Sequence, residues 1–133
     1  MKNQFTVETR NPKQIVDITD RVNDKLQELK AGDGLVHLQV LHTTCALTTA
    51  DLDPGTDRDY LEAIEKMFPE GNWIHPHNPA HVGDHIMSSL IGPSVVLTVG
   101  NGELVLGTWQ RVVLVELSGP RPRKITLTFI RTS

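Results

Sequence analysis

A single cysteine, Cys45, stands in this chain of 133 residues, so no internal disulfide can brace it. A lone thiol points to a reducing, cytoplasmic setting. Long apolar runs are missing too. None approaches the roughly 18 residues of a transmembrane helix, so no membrane partner is expected. The opening stretch, MKNQFTVETRNPKQ, lacks the apolar centre of a secretory signal. Nor is there an excess of base. Thirteen basic residues face sixteen acids for a net charge of −3, which argues against a nucleic-acid protein held by a basic face. Repeats and low-complexity segments are also lacking. What remains is ordinary globular composition, 38% hydrophobic and 22% charged, neither disordered nor coiled-coil. The length predicts one domain over residues 1–133. A chain of this size buries roughly two-thirds of its unfolded surface, enough for a core.

The charge is unevenly placed. Residues 1–103 hold fifteen acids and eight bases, and residues 104–133 hold one acid and five bases. Eight of the acids lie within 51–84, against Arg58 and Lys66. That stretch also holds His75, His77, His81 and His85. Acid plus imidazole suits cations; the basic C-terminal part suits anions. A site taking both is the first functional expectation.

Periodicity predicts an α+β fold: a β-sandwich of mostly antiparallel strands with three helices. Residues 5–9 and 14–17 read as short extended pieces. Thr19 is placed to cap a helix carrying Val22, Leu26 and Leu29, closed by Gly32. Val36, Leu38 and Val40 share one strand face, which His42 continues. Residues 44–49 read as more strand, and Asp53-Pro54-Gly55 as a turn. A helix from about Asp57 carries Tyr60, Leu61, Ile64 and Phe68 on one side. Residues 69–79, with three prolines, read as a loop. Helix resumes near Ala80 and stops at Gly92-Pro93, with Ile86 and Leu90 buried. Gly100-Asn101-Gly102 signals a hairpin. Strand is expected to run on to Glu116, with Trp109 packed inside it. Ser118-Gly119-Pro120 turns the chain into a last strand over 124–131, with Ile125, Leu127 and Phe129 on one face.

Several side chains invite a chemical reading. His42 ends an apolar face, where a hydrogen-bonded core histidine is the plain alternative to a ligand. His81 and His85, at i and i+4, can share a helix face, though without the glutamate of an HExxH pair. Thr43 and Thr44 offer hydroxyls to phosphate oxygens, or simply suit a strand. Arg121 and Arg123 flank a stiffening proline; guanidinium suits bidentate phosphate recognition, and a solvated hairpin end is the alternative. Gln110 and Glu116 have the parity of Leu106, Val112 and Leu114. On an unbroken strand Glu116 is then a carboxylate on a partly apolar face, either paired or with its pKa raised by desolvation. Six residues of strand span roughly 20 Å, so one protomer's Gln110 and Glu116 do not both reach one small substrate. Cys45 reads as a small buried hydrophobe. Residues 104–116 look apolar on both faces, which invites a neighbouring subunit to cover one.

Seven segments together resemble one family. They are His42-Thr43-Thr44, Asp53-Pro54, Gly71-Asn72-Trp73-Ile74-His75, the stretch His85-Ile86-Met87-Ser88-Ser89-Leu90-Ile91-Gly92, Gly107-Thr108-Trp109-Gln110, Glu116 and Arg121-Pro122-Arg123. In this order they resemble the YjbQ-type family, often called secondary thiamine-phosphate synthase. The likeness runs from about His42 to the C-terminus. It implies a small α+β protein on a β-sandwich, a homotrimer, and a histidine-lined metal site. It also implies a modest ability to join a thiazole phosphate to a pyrimidine diphosphate with release of pyrophosphate.

The resemblance implies His42, His75 and His85 as metal ligands. His77 and His81 depart from the family, which usually carries acidic or small residues there; either could replace His75, though His81 reads first as a solvated helix position. Asp51 takes the place of the family's glutamate in a segment one residue shorter, Ala50-Asp51-Leu52. With Gln110 and Glu116 it forms the implied catalytic set. Thr43, Thr44, Arg121 and Arg123 are the implied phosphate binders. Three imidazoles leave a position open for water or substrate. Zinc suits nitrogen ligands, while magnesium, the alternative, prefers oxygen. Metal and arginines would neutralise a departing diphosphate, and Trp73 or Trp109 would stack on a flat ring. The expected function is thus a metal-dependent enzyme of the thiamine-phosphate synthase type, acting on a phosphorylated small molecule. The alternatives are a trimeric metal- and phosphometabolite-binding protein and a metal-dependent phosphoester hydrolase.

Overall fold

Alternation of buried and exposed residues builds the first strand. In β1 (Lys2–Glu8) Phe5 and Val7 turn inward while Gln4, Thr6 and Glu8 face out. The computed structural model describes residues 1–67 and 82–132. After β1 come β2 (Gln14–Asp17), α1 (Thr19–Glu28), β3 (Gly34–Val40), β4 (Cys45–Ala50) and α2 (Thr56–Met67). Then follow α3 (Val82–Ile91), β5 (Ser94–Gly100), β6 (Glu103–Leu104), β7 (Arg111–Glu116) and β8 (Pro122–Arg131). All strand pairs are antiparallel, in a five-stranded sheet ordered β1-β8-β3-β5-β6 and a three-stranded sheet ordered β2-β7-β4.

The two sheets enclose the main core. Val36, Leu38 and Val40 from β3 meet Ile125, Leu127 and Phe129 from β8, and Leu47, Val112 and Leu114 from the smaller sheet. Val22 and Leu26 of α1 join the same core. The expected α+β sandwich with three helices is therefore present among the described residues.

Four local expectations are corrected. The strand over residues 103–116 is not continuous: β6 ends at Leu104 and β7 starts at Arg111 in the other sheet. A turn at 107–110 divides them. Gln110 N–H donates to the Gly107 carbonyl at 3.1 Å, and Gly107 N–H donates to Gln110 Oε1 at 3.0 Å. Trp109 sits on that turn with 68% of its surface exposed, not packed inside a strand. Thr19 does not cap α1. Its hydroxyl instead accepts from Val112 N–H at 2.8 Å, while Asp17 Oδ1 takes the Thr19 N–H at 3.0 Å. Leu90 is 70% exposed, because α3 packs through Met87, Ser88 and Ile91 rather than through Ile86 and Leu90.

Both faces of β7 are buried, as its composition suggests, but the cover is internal. Val113 and Val115 face a second apolar cluster with Ala46 and Met87, closed by Ile64 of α2 and Ile91 of α3. The apolar second face of this strand therefore does not require a neighbouring subunit.

Candidate functional site

The core face of β8 ends in a charge. Arg123 continues the inward series of Ile125, Leu127 and Phe129 and is 1% exposed. Opposite it, Glu116 ends β7 and is 0% exposed. Arg123 Nε donates to Glu116 Oε2 at 2.7 Å, and its Nη2 donates to Glu116 Oε1. The same Nη2 reaches Thr44, at 2.9 Å to the hydroxyl and 3.1 Å to the carbonyl. Glu116 also accepts from the Thr9 hydroxyl at 2.8 Å and from Ser118 N–H at 3.0 Å. Burial alone would raise the Glu116 pKa. The hydrogen bonds from Arg123, Ser118 and Thr9 outweigh burial and hold it below the ordinary value. Glu116 is thus the paired carboxylate of the two alternatives, ionised and with both oxygens engaged. Arg123 is likewise engaged, and Thr44 is turned inward onto it.

This pair fixes the rim around it. The chain between β7 and β8 turns tightly over Glu116. A Cβ on Gly119 would lie 2.4 Å from the Asn11 carbonyl oxygen and 2.9 Å from Glu116 Cγ. The turn presents Arg121, whose Nε donates to the Ser118 carbonyl at 2.8 Å while the side chain stays exposed. One residue past Arg123, Lys124 N–H donates to His42 Nε2 at 2.9 Å. Nε2 is therefore the bare nitrogen of His42, and Nδ1 carries the proton. Burial lowers the His42 pKa, and the charges of Arg123, Arg121 and Lys124 lower it further against the opposing effect of Glu116. The result is a neutral imidazole beside cations, with the exposed Thr43 next to it in the chain.

α3 reaches the same corner. Lys13 Nζ binds Asp84 Oδ1 at 2.5 Å and the Leu117 carbonyl at 2.9 Å. Ser88 Oγ donates to the Cys45 carbonyl at 2.5 Å. His85 stands between Asp84 and Ser88 on α3 and is half-buried. His75, His77, His81 and Trp73 lie outside the described residues. Among the described residues no three His, Cys, Asp or Glu side chains gather closely enough to hold a metal ion. Of the implied ligands, His42 is neutral, but its one lone-pair nitrogen, Nε2, accepts from Lys124 N–H and is not offered to a metal in this geometry. Cys45 is buried as expected, and burial pushes its thiol up to about 11.

Asp51 and Gln110 fall elsewhere. In the register of β4 with β7, Cys45 faces Glu116 and Ala50 faces Arg111. Five residues of strand, about 17 Å, separate the two ends. At the far end Gln110 Nε2 donates to the Thr49 hydroxyl at 3.1 Å, and Asp51 Oδ1 accepts from Asp53 N–H at 3.1 Å. Asp51, Gln110, Thr49, Tyr60 and Trp109 line a depression of about 340 Å³. So His42, Thr43, Thr44, Glu116, Arg121 and Arg123 come together at one end, and Asp51 and Gln110 at the other.

Three participants were not among the sequence candidates. Thr9 comes from the far end of the chain, and no sequence signal links it to Glu116. Lys124 directly follows the Arg-Pro-Arg segment, which was signal enough. Tyr60 shows in the sequence only as part of an apolar helix face.

Comparison with known proteins bears on this site. The family model described as UPF0047 protein YjbQ-like matches residues 3–132. A UPF0047 protein of Archaeoglobus fulgidus is 37% identical over 123 residues, covering 92% of this chain and 95% of that protein. The UPF0047 protein YjbQ of Salmonella typhimurium is 40% identical over 118 residues, covering 84% of each. A crystal structure of a YbjQ-like protein of unknown function from Sulfolobus solfataricus superposes with a TM-score of 0.91 at 30% identity, covering 99% of this chain and 97% of that one. An uncharacterised conserved protein of Clostridium acetobutylicum gives 0.87 at 35% identity, covering 96% and 99%. These findings overturn the expected reaction. The relatives and structures carry the description of a family of unknown function, and none is described as a thiamine-phosphate synthase.

Proposed function

The chain belongs to the UPF0047 family of YjbQ-like proteins, and we propose that it binds a phosphorylated small molecule where His42, Thr43, Arg121 and Lys124 meet. One observation carries this reading. A sealed Glu116–Arg123 pair pins the turn so that exposed cations and a neutral imidazole share one rim. Glu116 neutralises Arg123, which leaves Arg121 and Lys124 as the charges offered to a ligand. A phosphate suits the planar fork of Arg121, the point charge of Lys124 and the hydroxyl of Thr43. His42, neutral with its proton on Nδ1, can donate a hydrogen bond to a bound phosphate; the reading extends to an enzyme in which Nε2 leaves Lys124 N–H on ligand binding and serves as a base.

A zinc ion is part of the proposal. It is supported in the sequence by the His75 and His85 segments; His42 would join them only by releasing Lys124 N–H from Nε2. Elemental analysis of dialysed protein is expected to give roughly one zinc per chain; less than about a tenth would remove the metal from the reading. The homotrimer and the cytoplasmic setting also belong here. Exposed Leu35, Val96 and Ile130 on the outer face of the larger sheet support the first. The free, buried thiol of Cys45 supports the second. Among the described residues no helix is long and apolar enough to cross a membrane. The test of the binding site is a calorimetric titration with inorganic pyrophosphate, with and without zinc. Saturable binding supports the reading, and no binding at millimolar concentration refutes it.

A further inference from the structure

The depression at the opposite end of β4 has a different chemistry. Trp109 stands exposed on a turn that Gln110 holds from both sides. Tyr60 of α2 lines the other part of the hollow. Asp51 lies at its edge and also lines an adjoining groove of about 180 Å³ with Asp17, Asp53 and Arg111. The guanidinium of Arg111 is occupied by Asp17 at 2.7 Å and Asp20 at 3.3 Å. Asp51 and Asp53 have no ion-pair partner among the described residues. The rim is therefore negative and has aromatic faces. Beneath it, sharing Thr49, Ala50 and Tyr60, opens a mostly apolar cavity of about 270 Å³ that reaches Ile64, Ile91 and Val113.

We propose that this depression binds a small organic cation with an apolar body, an aryl- or alkylammonium. The positive head would lie between Asp51 and the indole of Trp109, where carboxylate and ring quadrupole act together on one charge. The apolar body would enter the cavity under Tyr60. A bare metal ion would gain nothing from the indole or the apolar cavity. A neutral hydrophobe would gain nothing from Asp51, and an anion would be repelled. This site stands about 17 Å along the strands from the rim of Arg121 and does not depend on the phosphate reading.

The test uses three probes of one shape: phenethylammonium, neutral phenethyl alcohol and anionic phenylacetate. Each is titrated into the full chain carrying Trp73→Phe, so that indole fluorescence reports Trp109 alone, with calorimetry alongside. Phenethylammonium is expected to quench Trp109 and to bind about tenfold more tightly than the alcohol, with phenylacetate weakest. Asp51→Asn keeps the acceptor for Asp53 N–H and is expected to remove that tenfold preference while leaving the alcohol unchanged. Trp109→Ala, at an exposed position, is expected to weaken the ammonium in calorimetry with unfolding temperature unchanged. Equal binding of the three probes overturns the proposal. So does an Asp51→Asn protein that keeps the preference, or binding that survives Trp109→Ala intact.

Discussion

Arg123 Nε lies 2.7 Å from Glu116 Oε2 with both side chains sealed from solvent. Such a pair contributes little net stability compared with apolar residues of the same shape, because desolvating two charges offsets their attraction. Breaking it is another matter, since the surviving charge is stranded. What the pair does here is local. It ties the end of β7 to the start of β8 and, through Thr9 and Thr44, ties both to neighbouring strands.

Single removal is therefore expected to be severe. Arg123→Met or Glu116→Gln should each destabilise the chain by about 3–5 kcal/mol in urea unfolding. The double change Glu116→Leu with Arg123→Met should cost clearly less than the two single losses together. Additive losses would show that the two residues are not coupled.

Acid sensitivity follows from the same groups. The Glu116 pKa is lowered in the folded state from an ordinary 4.5. Its stabilisation is present above that value and is lost as pH falls through the folded pKa. The His42 pKa is also lowered, from 6.5. On acidification the unfolded chain takes that proton first, so stability starts to fall below about pH 6.5. Unfolding temperature against pH should show both slopes, and His42→Gln should flatten the upper one. An unchanged upper slope would assign it to another group.

Gly119→Ala should be costly. The new methyl would meet a backbone oxygen at 2.4 Å and Glu116 Cγ at 2.9 Å. A loss of about 1–3 kcal/mol is expected, read as a lower denaturation midpoint. A stability equal to wild type would mean that the turn relaxes freely.

Cys45 should be inert in the folded chain. With its thiol pushed up to about 11 and its side chain buried, iodoacetamide at pH 8 should label it slowly in buffer and rapidly in urea. Equal rates would contradict the packing of β4.

Much of the fold was legible in the sequence because it follows strict alternation. Val36, Leu38 and Val40, and Ile125, Leu127 and Phe129, read directly as inward faces. The break between β6 and β7 was hard to place, because apolar residues flank it on both sides, Leu104 to Leu106 and Val112 to Val115, Gly107-Thr108 is its only local sign, and the turn rests on a bond to the Gln110 side chain. Arg123 was the reverse case. Its type suggested a solvated or ligand-facing fork, while its parity with Ile125 and Leu127 already placed it on the core face. The parity of Glu116 showed a carboxylate among apolar residues, but its partners Thr9 and Arg123 are set by strand pairing across the chain, which local pattern does not encode. The separation of Gln110 from Glu116 was readable from strand rise alone.

Light scattering tests the assembly. A particle of three times the 14.8 kDa chain mass is expected, and Val96→Asp on the outer face of the larger sheet should dissociate it. A wild-type monomer at micromolar concentration would contradict the trimer.

The phosphate site is tested most directly by calorimetry of inorganic pyrophosphate with wild type, Arg121→Ala and Lys124→Ala. Both side chains are exposed, so neither change threatens the fold. Each lost charge-assisted contact should weaken binding by about tenfold or more, and Arg121→Lys should recover only part of the loss. Sodium chloride at matched ionic strength should compete less than sulfate. Equal affinity in the wild type and both alanine variants would contradict the account, leaving Arg121 and Lys124 as a solvated strand end.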